Sequence, residues 1–220
     1  MIVLGLTGSI GMGKSTAATT LRRLGIPLFD ADQVVHRLLA PGGAAVGPVS
    51  DVFPGVRSES GEIDRSLLGK RVFTEPETLG RLEQIIHPMV AAEEKRFLAL
   101  ARARREPIAV LDVPLLFESG THRRCDYVLV VSAPSLVQRQ RVLQRPGMTE
   151  IRLAAILQKQ MPDREKRRRA DFVVPTGLGR SLTLRRLGAI VRLLRATKSP
   201  STDGRRRTAQ ERRRRRWCAR

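Results

Sequence analysis

Five short apolar runs recur along the chain, at residues 2–6, 26–29, 108–111, 127–131 and 172–174. Each is about the length of a strand buried on both faces, and Gly, Pro or Asp bounds most of them. Between them the apolar positions fall at helical spacing. Residues 17–24 place Leu21 and Leu24 on one face and stop at Gly25, while 182–194 is a leucine-rich terminal helix. No strong strand pattern occurs from 33 to 107. That stretch predicts helices over 33–39, 65–73, 76–86 and 88–105, with a Pro/Gly-rich turn from 41 to 48. His87-Pro88 reads as a helix break, because a proline disfavours helical geometry in the residue before it. Asp64 and Glu75 stand where helix caps are expected. The excursion exceeds a crossover connection and reads as a helical substrate domain.

The first strand runs directly into GLTGSIGMGKST, residues 5–16. Gly8 to Ser15 fits GxxxxGKS, with a strand before it and a helix starting near Lys14, which is the setting of a phosphate-binding loop. Gly8, Gly11 and Gly13 let the backbone take positive φ and turn N–H groups toward phosphates. The helix N-terminus adds further free donors. Lys14 supplies a point charge for β and γ phosphates, and Ser15 a hydroxyl for Mg2+. The glycine spacing does not fit the GxGxxG dinucleotide fingerprint.

The 220 residues carry 41 Lys and Arg against 21 Asp and Glu, a net charge of +20. Much of this lies past Lys198, in GRRRTAQERRRRRWCAR, which has no hydrophobic period. Residues 197–220 are therefore read as a solvated, disordered basic tail able to contact polyanions. Apolar residues make up 41% of the chain, enough for a core, and no run is long enough to cross a bilayer. Cys125 and Cys218 form neither a zinc pattern nor a disulfide framework. The start has no signal-peptide pattern, so the expected compartment is the cytoplasm. A monomer is expected.

Candidate chemistry sits at strand ends, where open parallel sheets place their ligands. Asp30 and Asp32 follow the second run, and one is expected to cap a helix while the other does chemistry. Asp112 ends the third run, a position from which such enzymes steady Mg2+; a turn-forming aspartate before Pro114 is the alternative. His87 is either a hinge residue or a substrate contact, and Glu118 either a ligand or a solvated or capping carboxylate. Arg141 and Arg145 lie one helical turn apart, so both can address one anion, although a solvated basic face has the same spacing. The polar run 163–169 joins them in a mobile cover, and Thr176 and Gly177 stand where a nucleotide base would lie.

Taken in order, GLTGSIGMGKST, DAD at 30–32, IIHP, DVPLLFESG, QRQRVLQRPGMT and KRRRADF resemble the dephospho-CoA kinase family over about residues 2–190. The resemblance implies an α/β P-loop NTPase fold, a five-stranded parallel sheet flanked by helices, with a helical insertion and a helical lid. Its core spans 1–32 and 108–196, the lid about 138–170, and the substrate domain 33–107. It implies ATP-dependent phosphorylation of the ribose 3′-hydroxyl of dephospho-CoA. ATP is then held by Gly8, Gly11, Met12, Gly13, Lys14, Ser15 and Thr16, with Mg2+ on Ser15 and Asp112. The resemblance implies that Asp32 is the general base or the carboxylate that orients the hydroxyl, that Lys14, Arg141 and Arg145 neutralise charge, and that Asp32, His87, Pro114, Leu115 and Glu118 receive dephospho-CoA. Family members often carry Asn after the last strand; this chain has ValProThrGly at 174–177 and no Asn.

Other small P-loop kinases share the loop and lid and differ in the insert. A GTPase switch is disfavoured, since NKxD cannot occur without Asn. A nucleic-acid-binding protein with a secondary ATP site is the third class, suggested by the tail.

Overall fold

The computed structural model describes residues 1–74 and 76–197. Glu75, expected as a cap, and the basic segment from Lys198, including Cys218, lie outside the described residues. The described residues divide into two compact units, residues 1–29 with 101–197, and residues 30–100.

The first unit is built on a five-stranded sheet: β1 (Ile2–Thr7), β2 (Leu28–Asp30), β3 (Ile108–Asp112), β4 (Tyr127–Ser132) and β5 (Phe172–Pro175) in the order β2-β3-β1-β4-β5. β1 pairs in parallel with β3 and with β4, and β4 in parallel with β5. Such a sheet needs apolar cover on both faces, which explains why its central strands read as unbroken apolar runs rather than alternating ones. The second strand is displaced from the expected 26–29 to Leu28–Asp30: Ile26 is held by the end of the preceding helix, its N–H donating to Leu21 O.

On one face, α1 (Lys14–Arg23) and α9 (Arg180–Ala196) bury Ala17, Leu21, Leu187, Ile190 and Leu194 against Leu4, Leu129 and Val174. On the other, Leu116, Phe117, Val128, Val130 and Ala170 form a smaller cluster. Ala170 follows α8 (Asp163–Arg169), which lies against β4. Two further helices, α6 (Ser135–Leu143) and α7 (Glu150–Lys159), pack on each other between β4 and α8.

The second unit contains α2 (Ala31–Leu39), α3 (Val46–Val52), α4 (Arg65–Thr74) and most of α5 (Pro76–Ala103) around Leu39, Val46, Val49, Phe53, Val56, Ile63, Leu68 and Ile86. Two expectations are corrected here. The Pro/Gly-rich turn ends early, because Val46 and Val49 are one helical turn apart and both buried, so α3 forms straight through Pro48. No break occurs at His87-Pro88 either: α5 is one helix of 28 residues with Pro88 inside it. An interior proline costs a helix about 3 kcal/mol. Ile85, Ile86, Met89 and Val90, on both sides of it, all join the unit's core, and that burial outweighs the local penalty.

Candidate active site

Thr7 ends β1 and α1 begins at Lys14, so residues 8–13 must reverse the chain in one tight loop. Gly11 (φ 74°) and Gly13 (φ 84°) occupy the left-handed region, where a β-carbon is strained. Gly8 is required for a different reason than expected. It is absent from the positive-φ glycines, but a β-carbon on it would lie 2.6 Å from Val131 Cγ2 and 2.8 Å from Val131 O. The loop therefore presses directly on the end of β4. Ser15 and Thr16 are exposed in the first turn of α1, and Met12 is buried beneath the loop.

Parallel pairing sets Asp112 beside Leu6. Val113 N–H donates to Leu6 O at 3.1 Å, and Thr7 Oγ1 donates to Pro114 O at 2.9 Å, which fixes the DVP segment to the loop's entrance. Lys14 reaches back from α1 so that Nζ lies 2.7 Å from Asp112 Oδ1. Asp112 is 2% exposed and the Lys14 side chain 17%, so the pair is shielded from water and from salt screening.

Several side chains grip the loop from outside. Thr176 Oγ1 donates to Met12 O at 2.7 Å, and Met12 Sδ accepts from Ala133 N–H at 3.0 Å. Arg141 donates to Thr176 O at 2.8 Å, to Thr176 Oγ1 at 3.3 Å and to Gly11 O at 3.5 Å. Both backbone groups of Ile10 are taken by glutamines: Gln138 Nε2 donates to its carbonyl at 2.8 Å, and Gln160 Oε1 accepts from its N–H at 3.1 Å. The outward edge of the loop is thus satisfied by protein. Gln160 and Met12 Sδ were not foreseen in these roles, and no sequence signal marks a glutamine that meets the loop 150 residues away.

Arg145 and Arg141 do not share a helical face. α6 ends at Leu143 with Gln144 as its C-cap, and Arg145 stands exposed beyond it. Glu118, expected at the substrate, has internal partners. Its Oε1 accepts from Met161 N–H at 2.8 Å and lies 3.0 Å from Lys166 Nζ. The residue stands at the surface but its side chain is only 20% exposed. Burial alone pushes its carboxyl up, yet the Met161 N–H and Lys166 ammonium outweigh that and hold it below the usual glutamate range. The run 163–169, expected in a mobile cover, is the helix α8, whose Lys166 is fully buried. The only hint in the sequence is the four-residue spacing of Pro162, Lys166 and Ala170.

In the second unit the aspartate pair divides its labour. Asp30 caps α2, accepting from Gln33 N–H at 3.1 Å, whereas Asp32 is exposed in the first turn. His87 is exposed on α5. In the first unit, Pro114 is half-buried and Leu115 exposed just after Asp112.

A phosphate-binding loop with its lysine on a strand-end carboxylate fits many phosphotransferases. The sequence profile of the dephospho-CoA kinase family matches residues 2–178. The chain belongs to that family. It is 56% identical over 204 residues to the dephospho-CoA kinase of Paramagnetospirillum magneticum, covering 93% of this chain and 96% of the relative. With the dephospho-CoA kinase of Mesorhizobium japonicum it shares 54% identity over 195 residues, 89% of this chain and 98% of the relative. The crystal structure of TT1252 from Thermus thermophilus superposes with a TM-score of 0.75 at 34% identity, covering 90% of this chain and 98% of that one. In this chain the loop follows the carboxyl end of β1, and Thr176 braces it from just past the end of β5.

Proposed function

We propose that the chain transfers the γ-phosphoryl group of ATP to the ribose 3′-hydroxyl of dephospho-CoA, giving coenzyme A and ADP. The observation that carries this reading is the Lys14–Asp112 contact inside a braced phosphate loop, in a chain of the dephospho-CoA kinase family.

The loop amides from Gly11 to Thr16 bind the phosphates, and Lys14 exchanges Asp112 for the β and γ oxygens. The donor set suits a hard divalent cation: the Ser15 hydroxyl and the buried Asp112 carboxylate are oxygen ligands beside the phosphate site. Mg2+, when bound, neutralises charge on the β and γ phosphates. Asp32 accepts the hydroxyl proton as the oxygen bonds to the γ phosphorus and the bond to the β–γ bridging oxygen breaks. Arg141 holds the loop in its phosphate-ready form, and Arg145 adds positive charge from outside the helix. His87, Pro114 and Leu115 contact dephospho-CoA. Among the described residues no helix is long and apolar enough to cross a membrane. A cytoplasmic monomer is the setting proposed for this reaction.

The test is ADP release with ATP and Mg2+ in the presence of dephospho-CoA, CoA or adenosine. Release confined to dephospho-CoA, with CoA as product, is expected. Release with none of the three would return the acceptor to other small P-loop kinase substrates.

A further inference from the structure

Lys166 presents the least expected chemistry in the molecule. Its side chain is fully buried, and Nζ has no hydrogen-bond acceptor among the described residues beyond its ion pair with Glu118. Leu116, Phe117, Val128, Val130 and Ala170 form the cluster to which the adjoining segments belong. An ammonium removed from water with one carboxylate for three donors is a poor source of stability, and an apolar side chain of similar volume is often as stable or more so. Its placement calls for another explanation.

The segment on either side of Met161 supplies one. Residues 160–166 make four contacts with separate parts of the nucleotide side of the sheet. Gln160 Oε1 accepts from Ile10 N–H, Met161 N–H donates to Glu118, Asp163 Oδ2 accepts from Ser132 Oγ at 2.8 Å, and Lys166 pairs with Glu118. Glu118 Oε1 is shared by two of them. The segment has extended backbone at Gln160 (φ −101°, ψ 143°) and Pro162 (φ −54°, ψ 141°), between α7 and α8; backbone bonds tie its two ends, Gln160 N–H to Leu157 O and Pro162 O to the Glu165 and Lys166 N–H groups, but Met161 N–H goes to the Glu118 side chain. The side-chain contacts fix where it lies against the sheet and the loop.

We propose that Glu118 and Lys166 are positioning residues that pin the 160–163 strap, so that Gln160 holds the Ile10 amide and keeps the phosphate loop in its ATP-binding shape. Resting on the assignment of that loop to ATP, this changes the role of Glu118 from a substrate contact to a fixed post. The pair acts through Gln160 and touches no reacting atom.

A double-mutant cycle on the full chain tests it, reading ATP affinity by calorimetry without acceptor, KM for ATP and for dephospho-CoA, kcat, and melting temperature. Lys166→Met is expected to melt within a few degrees of the parent and to weaken ATP binding about five- to tenfold, as expected for one lost hydrogen bond. Gln160→Ala is expected to weaken it equally. The double variant is expected to be no worse than either, since both remove the same contact. KM for dephospho-CoA stays unchanged. Additive losses, unchanged ATP affinity in Lys166→Met, or a raised KM for dephospho-CoA alone would each overturn the proposal. Should Lys166→Met not fold, Gln160→Ala leaves the buried pair intact and must still weaken ATP binding, and adding Glu118→Gln to it must cause no further loss. Calorimetry with ATP alone remains readable even if the acceptor proves to be another molecule.

Discussion

Lys14 Nζ sits 2.7 Å from Asp112 Oδ1, so the lysine of the phosphate loop already has an internal partner. On the proposed function, a phosphate displaces that carboxylate and leaves it available to a cation. Lys14→Ala is expected to abolish measurable ATP binding and turnover and to lower stability by about 1–3 kcal/mol, because buried Asp112 loses its charged hydrogen-bond partner. Asp112→Asn is expected to separate the two functions. ATP affinity measured without Mg2+ stays within about threefold, since Lys14 is freed, while turnover with Mg2+ falls at least about a hundredfold. Equal losses in both measurements would contradict the exchange.

The division between Asp30 and Asp32 gives a paired test. Asp30→Ala removes the α2 cap and is expected to cost about 1 kcal/mol in urea unfolding with turnover largely kept. Asp32→Asn is expected to leave stability and ATP binding alone and to cut phosphoryl transfer by about 100-fold or more. If Asp30→Ala is the inactive variant, the base has been assigned to the wrong carboxylate.

Gly8→Ala tests the contact between loop and sheet. The added methyl would overlap Val131 O, which is backbone and cannot rotate aside. A loss of about 1–3 kcal/mol is expected from the overpacking, together with weakened ATP binding. The companion Val131→Ala relieves the Cγ2 overlap but not the carbonyl, so it rescues only in part.

Acid should reveal Glu118. Its folded carboxyl lies below the unfolded glutamate value of about 4.3, so its contribution is fully present above that value. As pH falls through the lower folded value, the contribution is lost. Melting temperatures from pH 6 to pH 3 are expected to fall less steeply in Glu118→Gln than in the parent; an unchanged slope would remove Glu118 from the acid response.

Thr176→Val keeps the shape at the end of β5 and removes the hydroxyl donated to Met12 O. A three- to tenfold rise in KM for ATP, about what one lost hydrogen bond gives, is expected with little change in kcat. A fall in kcat alone would place Thr176 at the transferring phosphoryl group.

The parts of this site that were legible in the sequence are those fixed by local chemistry. Positive φ at Gly11 and Gly13 follows from loop spacing, and a buried Asp112 from its place at a strand end. That one of Asp30 and Asp32 caps α2 follows from the residues after them; which one does so came only with the Gln33 N–H contact to Asp30. Contacts that depend on distant segments were not legible. Beyond the four-residue spacing of Pro162, Lys166 and Ala170, nothing in that charged run announces that Lys166 turns inward, because the apolar cluster beside α8 comes from β4 and from the segment after β3. The register of Arg145 was missed for a different reason: α6 stops at Leu143, and the marker was local, because Pro146 disfavours helical geometry in Arg145 and Gly147 follows with φ 71°. The proline in α5 shows the converse, a strong local signal overruled by burial on both sides.

That proline has a further consequence. Pro88 carries no N–H, so the carbonyl of Gln84 lacks the donor that every other interior turn supplies, and α5 is two hydrogen-bonded ladders on one axis. Amide exchange in the helix should accordingly show two protected blocks with a weak seam at residues 84–88. Bending energy would concentrate at that seam, which contains the exposed imidazole of His87, and so the helix would yield there first under load.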